Sequence, residues 1–301
     1  MENEINNFED LDNLKFYGGE KYHSHKIFQL LDDLYDFYDF LQLNISNNAK
    51  AVFCIKDMPD IDGIMFGSIK GTISSIKILL DIGSVNDAFA LVRKYEDAII
   101  TNIYVDLSLD KEHKNVIEHL ISDDDFVFNK LFDNEINKWV YESDRHDLKA
   151  SEFKIAGFEK VKDLNAIFKL SMEKTTNNVT ELAKFTLRQF CNNNVHYNAL
   201  KYFLYNYKDD INMTDVRVKL LDKIYQSLIN IFVVHFSYML VINPEYYNSS
   251  DYVDSLDCGH TPIEGSQYWV APVIQNLYDK YIKHKDELNR YLKNCNWLEI
   301  E

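Results

Sequence analysis

Glycine and proline are both scarce in this sequence, which has 9 glycines and 4 prolines among its 301 residues. Because these residues interrupt regular backbone, their scarcity disfavours a turn-rich β-sandwich and favours long, uninterrupted elements. Alternation of apolar and polar residues is scarce too, and the short apolar run at 51–55 is the only candidate strand. Apolar residues nevertheless make up 46% of the chain and aromatic residues 14%. The composition therefore indicates a globular protein with a sizeable core.

Signals for secretion, disulfides, membrane insertion and cofactor binding are missing as well. The four cysteines, at positions 54, 191, 258 and 295, form no CxxC pair, which indicates reduced thiols and predicts a cytoplasmic location. The acidic N-terminus lacks the basic and apolar regions of a signal peptide. The most apolar stretch, 228–242, is shorter than the roughly 20 residues that span a bilayer. With no Gly-rich phosphate loop and no complete metal-binding motif, we predict no membrane association, no metal and no cofactor.

Positive charge is in short supply, since 32 basic side chains stand against 48 acidic ones and the net charge is −16. No run of five or more Lys or Arg residues occurs. Such a charge repels phosphate backbones at long range. We therefore expect no DNA binding, and RNA binding would need a local cluster of basic residues. A protein partner or self-association is the predicted kind of contact.

Apolar residues at helical spacing predict long helices over 21–44, 68–83, 85–107 and 213–242, with shorter helices between them. Gly83 suits the position after a helix and Ser84 can cap the next one, so a short antiparallel hairpin is predicted there. The sequence thus predicts an all-α, multi-helix bundle with long antiparallel helices. A polar segment, 1–20, would precede a single large α-helical domain, 21–301. The least regular stretch, 143–162, marks either an internal boundary or a lid.

Residues 187–198 read LRQFCNNNVHYN, so a helical stripe that begins apolar turns polar over its last two turns. On a helix, Asn192, Asn193 and His196 would continue the face that Leu182 and Phe185 begin. A buried polar group without a partner costs about 1–3 kcal/mol, so these side chains must find partners, line a cavity or face water. Two interpretations follow: a frayed helix end with an exposed histidine, or a polar pocket between helices.

The helix predicted at 85–107 has a similar interruption, because Arg93, Glu96 and Asp97 fall on its apolar face. Arg93 and Asp97 are four residues apart and can pair along the helix, with Tyr104 on the same stripe. The charges either edge the apolar face and reach water, or form a buried network with the polar residues around His196.

Two other histidines lie in segments whose position in the fold can be predicted. The loop at 254–272 carries His260 and Tyr268 and is a candidate cover for a cleft between helices. His235 lies inside the most apolar helix, where a histidine is expected to be a core residue with its hydrogen bonds satisfied rather than a ligand.

The stretch DAFALVRKYEDAI at 87–99, followed by NNNVHYN at 192–198, resembles the helical HEPN superfamily and its abortive-infection relatives. The resemblance implies a role in bacterial or phage defence. Many members are metal-independent RNases in which an Arg, a neighbouring polar residue and a His four to six residues further on act on the 2′-OH and the scissile phosphate. Here seven residues separate Arg188 from His196, which places them about 80° and about 12 Å apart on a helix.

Three functions are compatible with these patterns. The favoured one is a cytoplasmic α-helical protein that acts through protein contacts in a defence or stress system, without catalysis. The second is a HEPN-like, metal-independent RNase that uses His196 with Arg188 or Arg93. The third is a nucleotide- or small-molecule-sensing bundle whose pocket floor is formed by Arg93, Asn192, Asn193 and His196.

Overall fold

The computed structural model describes most of the bundle: residues 18–47, 61–121, 135–141, 187–207, 213–248 and 270–283, together with 255, 258–261, 286 and 289. The described part is 84% helical and contains no strand, and its helices pack against one another, which confirms the all-α, multi-helix bundle. Several predicted features lie outside the described residues: most of the 1–20 segment, the candidate strand at 51–55, the boundary or lid at 143–162, and Tyr268.

The helices of the described part follow in chain order. They are α1 (Glu20–His23), α2 (Ile27–Asn47), α3 (Ile61–Asp81), α4 (Val85–Ile121), α5 (Glu135–Tyr141), α6 (Leu187–Val195), α7 (Leu200–Leu204), α8 (Thr214–Ile242), a 3₁₀ helix (Pro244–Tyr247) and α9 (Pro272–Tyr281).

Two predicted helix boundaries are wrong. α3 begins at Ile61, seven residues before the start of the helix predicted at 68–83. α4 runs without interruption to Ile121, although a break was predicted after position 107. Its later turns are more polar, but no glycine or proline occurs between 84 and 121 to end the helix.

The predicted turn between α3 and α4 is confirmed. Gly83 has a φ of 77°, a left-handed conformation that favours glycine. The amide of Gly83 donates to the carbonyl of Leu80 at 2.9 Å, and that of Ser84 to the carbonyl of Leu79 at 2.8 Å. This pair of bonds is a Schellman motif, which satisfies the last carbonyls of α3 and turns the chain back into α4.

A single cluster of buried apolar side chains joins α2, α3, α4, α8 and α9. The apolar residues whose helical spacing predicts α2 are all fully buried or nearly so: Ile27, Leu30, Leu31, Leu34, Phe37, Tyr38 and Leu41. The rings of Phe37 and Phe232 meet edge to face at a centroid distance of 5.1 Å, and Phe236 packs against Tyr247 at 4.9 Å with the rings tilted. The core therefore holds α2 and α8 together through aromatic contacts.

One helix among the described residues, α3, is long and apolar enough to cross a bilayer by length and composition. Its buried side, including Phe66, Ile69 and Ile73, belongs to the bundle core. Lys70 on α3 pairs with Asp39 of α2 at 2.8 Å, and Lys77 pairs with Asp32. These contacts join α3 to α2, and helices of the same length and composition are common in the cores of helical bundles.

Candidate functional site

The two polar interruptions predicted from sequence lie on helices that pack together, since α6 lies against α4. Between them is Cys191, which is fully buried. Burial and, to a smaller extent, the carboxylates of Glu96 and Asp97 raise the pKa of this thiol to about 12, while the guanidinium of Arg93 lowers it. The charged group of α4 thus lies next to the buried side of α6.

The charged residues of α4 nevertheless remain in contact with water. Arg93 Nε lies 3.5 Å from Asp97 Oδ2, and the two side chains are 28% and 43% exposed. This is the pairing predicted from their spacing. Glu96 and Tyr104 are half-buried, and Tyr104 packs against the apolar core. The group therefore borders the apolar face of α4.

His196 is exposed to solvent, and its amide donates to the carbonyl of Asn192 at 3.0 Å. Asn192 and Asn193 are half-buried, and Asn193 Oδ1 accepts a hydrogen bond of 2.9 Å from Asn198. Arg188 lies within α6, and His260 is exposed at a turn where its amide donates to the carbonyl of Ser255.

The polar stretch at the end of α6 forms a helix-ending turn. The amide of Tyr197 donates to the carbonyl of Asn194, and that of Asn198 to the carbonyl of Asn193, both at 3.2 Å. These bonds form a second Schellman motif, with Tyr197 at a φ of 47° where glycine is usual. Its ring stacks on Phe203 at 4.2 Å and its hydroxyl donates to Asp87 at 3.4 Å. These contacts offset a backbone strain of about 1–2 kcal/mol.

Buried polar groups attach the following segment to the bundle. Asn86, in the first turn of α4, donates from Nδ2 to the carbonyl of Asn194 at 3.0 Å, and its amide donates to Asn206 Oδ1 at 2.8 Å. Arg217 of α8 is 1% exposed and donates to the carbonyl of Tyr207. The chain on either side of α7 is therefore fixed to α4 and α8.

α7 presents apolar side chains to solvent. Nine large hydrophobic side chains are exposed in the described part, and five of them fall between positions 195 and 207. Four of the five have the i, i+3, i+4, i+7 spacing of one helical face, which we call the apolar face: Leu200, Phe203, Leu204 and Tyr207. Leu200 is 74% exposed and Phe203 is 55% exposed, whereas Tyr202 on the opposite side is buried. Contiguous exposed apolar surface of this kind is typical of protein interaction sites.

A chain of buried polar side chains runs through the bundle core. Six residues from α2, α3, α4, α8 and the 3₁₀ helix form it, in the order Tyr95, Tyr38, His235, Asn102, Asp62 and Tyr246. We call these six residues the buried chain. Five of its hydrogen bonds are 2.7–3.0 Å long, and none of its members is more than 6% exposed.

The direction of donation along the buried chain follows from its carboxylate. Asn102 donates from Nδ2 to Asp62, so its Oδ1 accepts from Nε2 of His235 at 2.8 Å. Nδ1 of His235 therefore accepts from the hydroxyl of Tyr38, which accepts in turn from Tyr95. Burial lowers the pKa of His235 to about 3, consistent with a neutral ring. The expectation of a core histidine with satisfied hydrogen bonds is confirmed.

Asp62 receives hydrogen bonds from both sides, because Tyr246 donates to its second oxygen at 2.9 Å. It also lies in the first turn of α3, where the helix dipole favours a negative charge. Burial and the neighbouring carboxylates Asp62 and Asp106 raise the pKa of Tyr246. Among the described residues, no three His, Cys, Asp or Glu side chains are grouped so as to hold a metal ion.

Comparison with known proteins identifies no relative: no family model, no curated protein and no solved structure matches this chain.

Sequence reasoning missed most of these residues, although one of them carried a signal. Arg217 precedes Leu220, Leu221 and Ile224 at helical spacing, so its place on the apolar face of α8 could have been recognised. Asn86 offered no such signal, because a polar residue in the first turn of a helix is ordinary.

Proposed function

We propose that this chain is a cytoplasmic α-helical protein that acts through protein contacts in a bacterial or phage defence or stress system, without catalysis. The observation that carries the proposal is the apolar face, whose four large side chains face solvent on α7 and the turn after it, a segment fixed to the bundle. Interface cores are rich in aromatic residues and poor in charge, as this face is. The resemblance of 87–99 and 192–198 to the HEPN superfamily supports the defence setting.

Two further features favour contact over chemistry. The residues considered for catalysis or binding do not form one enclosed group, since His196 and His260 are exposed and Arg93 is paired with Asp97. The most enclosed polar groups, in the buried chain, already satisfy one another. A polar chain of this kind stabilises a core.

The proposal is tested by affinity purification from the organism that makes the protein, with three forms of the tagged chain. These are the native protein, the Phe203→Asp variant and the control Ile78→Asp. Ile78 is a matched control because it is 59% exposed, close to the 55% of Phe203, and lies on α3. A partner retained by the native and control proteins, lost by Phe203→Asp and bound again when purified supports the proposal. If the three forms retain the same proteins, the proposal is wrong.

A metal-independent RNase is the second candidate, and one observation favours it. His196 is exposed to solvent, so a phosphate has access to it. The test is incubation of the purified protein with total RNA in EDTA, beside His196→Ala. Cleavage that the variant loses supports this candidate, and intact RNA with the native protein eliminates it.

A further inference from the structure

We infer that the apolar face binds a second copy of this chain, with the two copies related by a two-fold axis through the face. The inference rests on the proposed function, because it names the partner of the same surface. It depends on three properties of the face: its charge, its self-complementarity and its attachment to the bundle.

Charge is the first property. The chain has a net charge of −16, so most pairs of surfaces from two copies repel each other. The stretch from Leu182 to Lys208 contains no Asp or Glu, and it is the longest such stretch in the sequence. The apolar face lies within it. Because this stretch carries no carboxylate of its own, two copies meet through the face with little charge repulsion. The neighbouring Asp87, which accepts from the Tyr197 hydroxyl, is half-buried, and the exposed Lys201 beside the face favours a partner whose surface is otherwise acidic.

Self-complementarity is the second property. In a two-fold dimer the same patch serves both copies, so a charged centre would meet its own charge. The centre of this face is uncharged, and its spacing lets the side chains of two short helices interleave. Two-fold dimers are the commonest closed assemblies of identical chains.

Attachment is the third property. Asn86 contacts the chain before and after α7, and Arg217 contacts the chain after it, at Tyr207. The Tyr197 ring stacks on Phe203, one of the four residues of the face. A face already held in place loses little conformational entropy when it binds, so a small contact can be productive. Four side chains can form the centre of a small interface but not a large interface. Because small interfaces bind weakly, we predict a dimer that forms only as the protein concentration rises.

Sedimentation equilibrium of the full chain over about 1–100 µM tests the inference. The native protein should shift from 35.5 kDa toward twice that mass as its concentration rises. Phe203→Asp and Leu200→Asp should each raise the dimer dissociation constant by about tenfold or more, because they place charges of the same sign at the two-fold axis. The matched control Ile78→Asp should associate like the native protein. Circular dichroism of each variant should show an intact helical fold.

Cross-linking separates a two-fold dimer from a head-to-tail contact. In a background in which Cys54, Cys258 and Cys295 are replaced by Ser and only the buried Cys191 is kept, Phe203→Cys should form a disulfide-linked dimer on mild oxidation, whereas the similarly exposed Ile78→Cys should not. Equal linkage at both positions would overturn the two-fold arrangement.

A native chain that stays at 35.5 kDa throughout, or association that survives both aspartate variants, overturns the inference. The proposed function can still stand in that case. If Phe203→Asp loses a host partner while the native chain is monomeric, the face binds a different protein. If the face affects neither self-association nor partner retention, both fail together.

Discussion

The core of the bundle and the surface of α7 distribute polar and apolar side chains in opposite ways. The core encloses His235, Asn102 and Asp62 at low exposure, each hydrogen-bonded to the next. The surface around α7 instead presents leucine, phenylalanine and tyrosine to solvent, while buried polar groups hold the segment to the bundle through hydrogen bonds. A polar group that is buried and paired is expensive to disturb, whereas an exposed apolar one adds little to folding stability. The comparison therefore separates residues that hold the fold from residues free to serve function.

The largest expected effect is in the buried chain. Replacing His235 by Leu removes the acceptor of the Tyr38 hydroxyl and the donor to Asn102 Oδ1, leaving two buried polar groups without those partners. At about 1–3 kcal/mol for each group, the free energy of unfolding should fall by about 2–6 kcal/mol. Urea denaturation followed by circular dichroism measures this loss.

The end of the buried chain supplies a graded control for that variant. Tyr95→Phe removes only the terminal donor and leaves the bond from Tyr38 to His235 in place. The expected loss is about 1 kcal/mol. If His235→Leu and Tyr95→Phe lower the free energy of unfolding by the same amount, the buried chain does not act as a connected unit. The hydrogen bonds of His235 then contribute no more to stability than the terminal one.

The second expected effect depends on pH. Burial lowers the pKa of His235 to about 3, below the value of about 6.5 for a free histidine. The unfolded chain therefore binds a proton more readily, so the contribution of this residue is complete above about pH 6.5. It is lost as the pH falls toward 3, by up to about 1.4 kcal/mol per pH unit.

His235→Gln isolates this effect, because glutamine keeps a donor and an acceptor but does not titrate. The gap in unfolding free energy between the native protein and the variant should narrow as the pH falls from 7 to 4. Urea denaturation at each pH measures the gap. A gap of constant size would mean that His235 titrates in the folded state as it does in the unfolded one.

How much of this arrangement could be predicted depends on the range over which each part is encoded. The apolar face of α2 and the turn at Gly83 are local patterns, and both are confirmed. The buried chain is different, since Tyr246 and Asp62 are 184 positions apart and neither is unusual where it stands. Only His235 gave a signal, as a lone titratable group in an apolar helix. Hydrogen-bond partners that are far apart in sequence are brought together by tertiary packing, so they cannot be predicted from the local pattern of a single sequence.

The asparagine-rich stretch after α6 illustrates the same limit at closer range. Side chains were expected to decide its role, either in a pocket or at a frayed end. Much of its role belongs to the main chain instead. The carbonyls of Asn193 and Asn194 accept the hydrogen bonds that end the helix, and the carbonyl of Asn194 also accepts a hydrogen bond from Asn86. The periodicity of apolar residues predicts where side chains point, but it gives no information about hydrogen bonds to main-chain carbonyls.

The third expected effect is on both stability and self-association. It concerns the hydrogen bonds that hold the α7 segment to the core of the bundle. Asn86→Ala removes the side-chain donor to the carbonyl of Asn194 and should lower the unfolding free energy by about 1–2 kcal/mol. It should also weaken self-association, because the apolar face would be held less firmly. Thr101→Ala is a control on the same helix, since the Thr101 hydroxyl donates only within the helix, to the carbonyl of Asp97. Equal weakening of association by both variants would show that the attachment of α7 is irrelevant to binding.

The smallest expected effect on stability is at the apolar face. Phe203→Asp places a charge on a side chain that is already 55% exposed, and removes a ring whose main described contact is the stack on Tyr197. The free energy of unfolding should fall by about 1 kcal/mol or less, because the substitution removes one aromatic pair from a largely exposed site. Thermal and urea denaturation at a concentration where the native protein is monomeric measure this change. A loss of several kcal/mol would mean that Phe203 supports the fold, and the apolar face would then belong with the core.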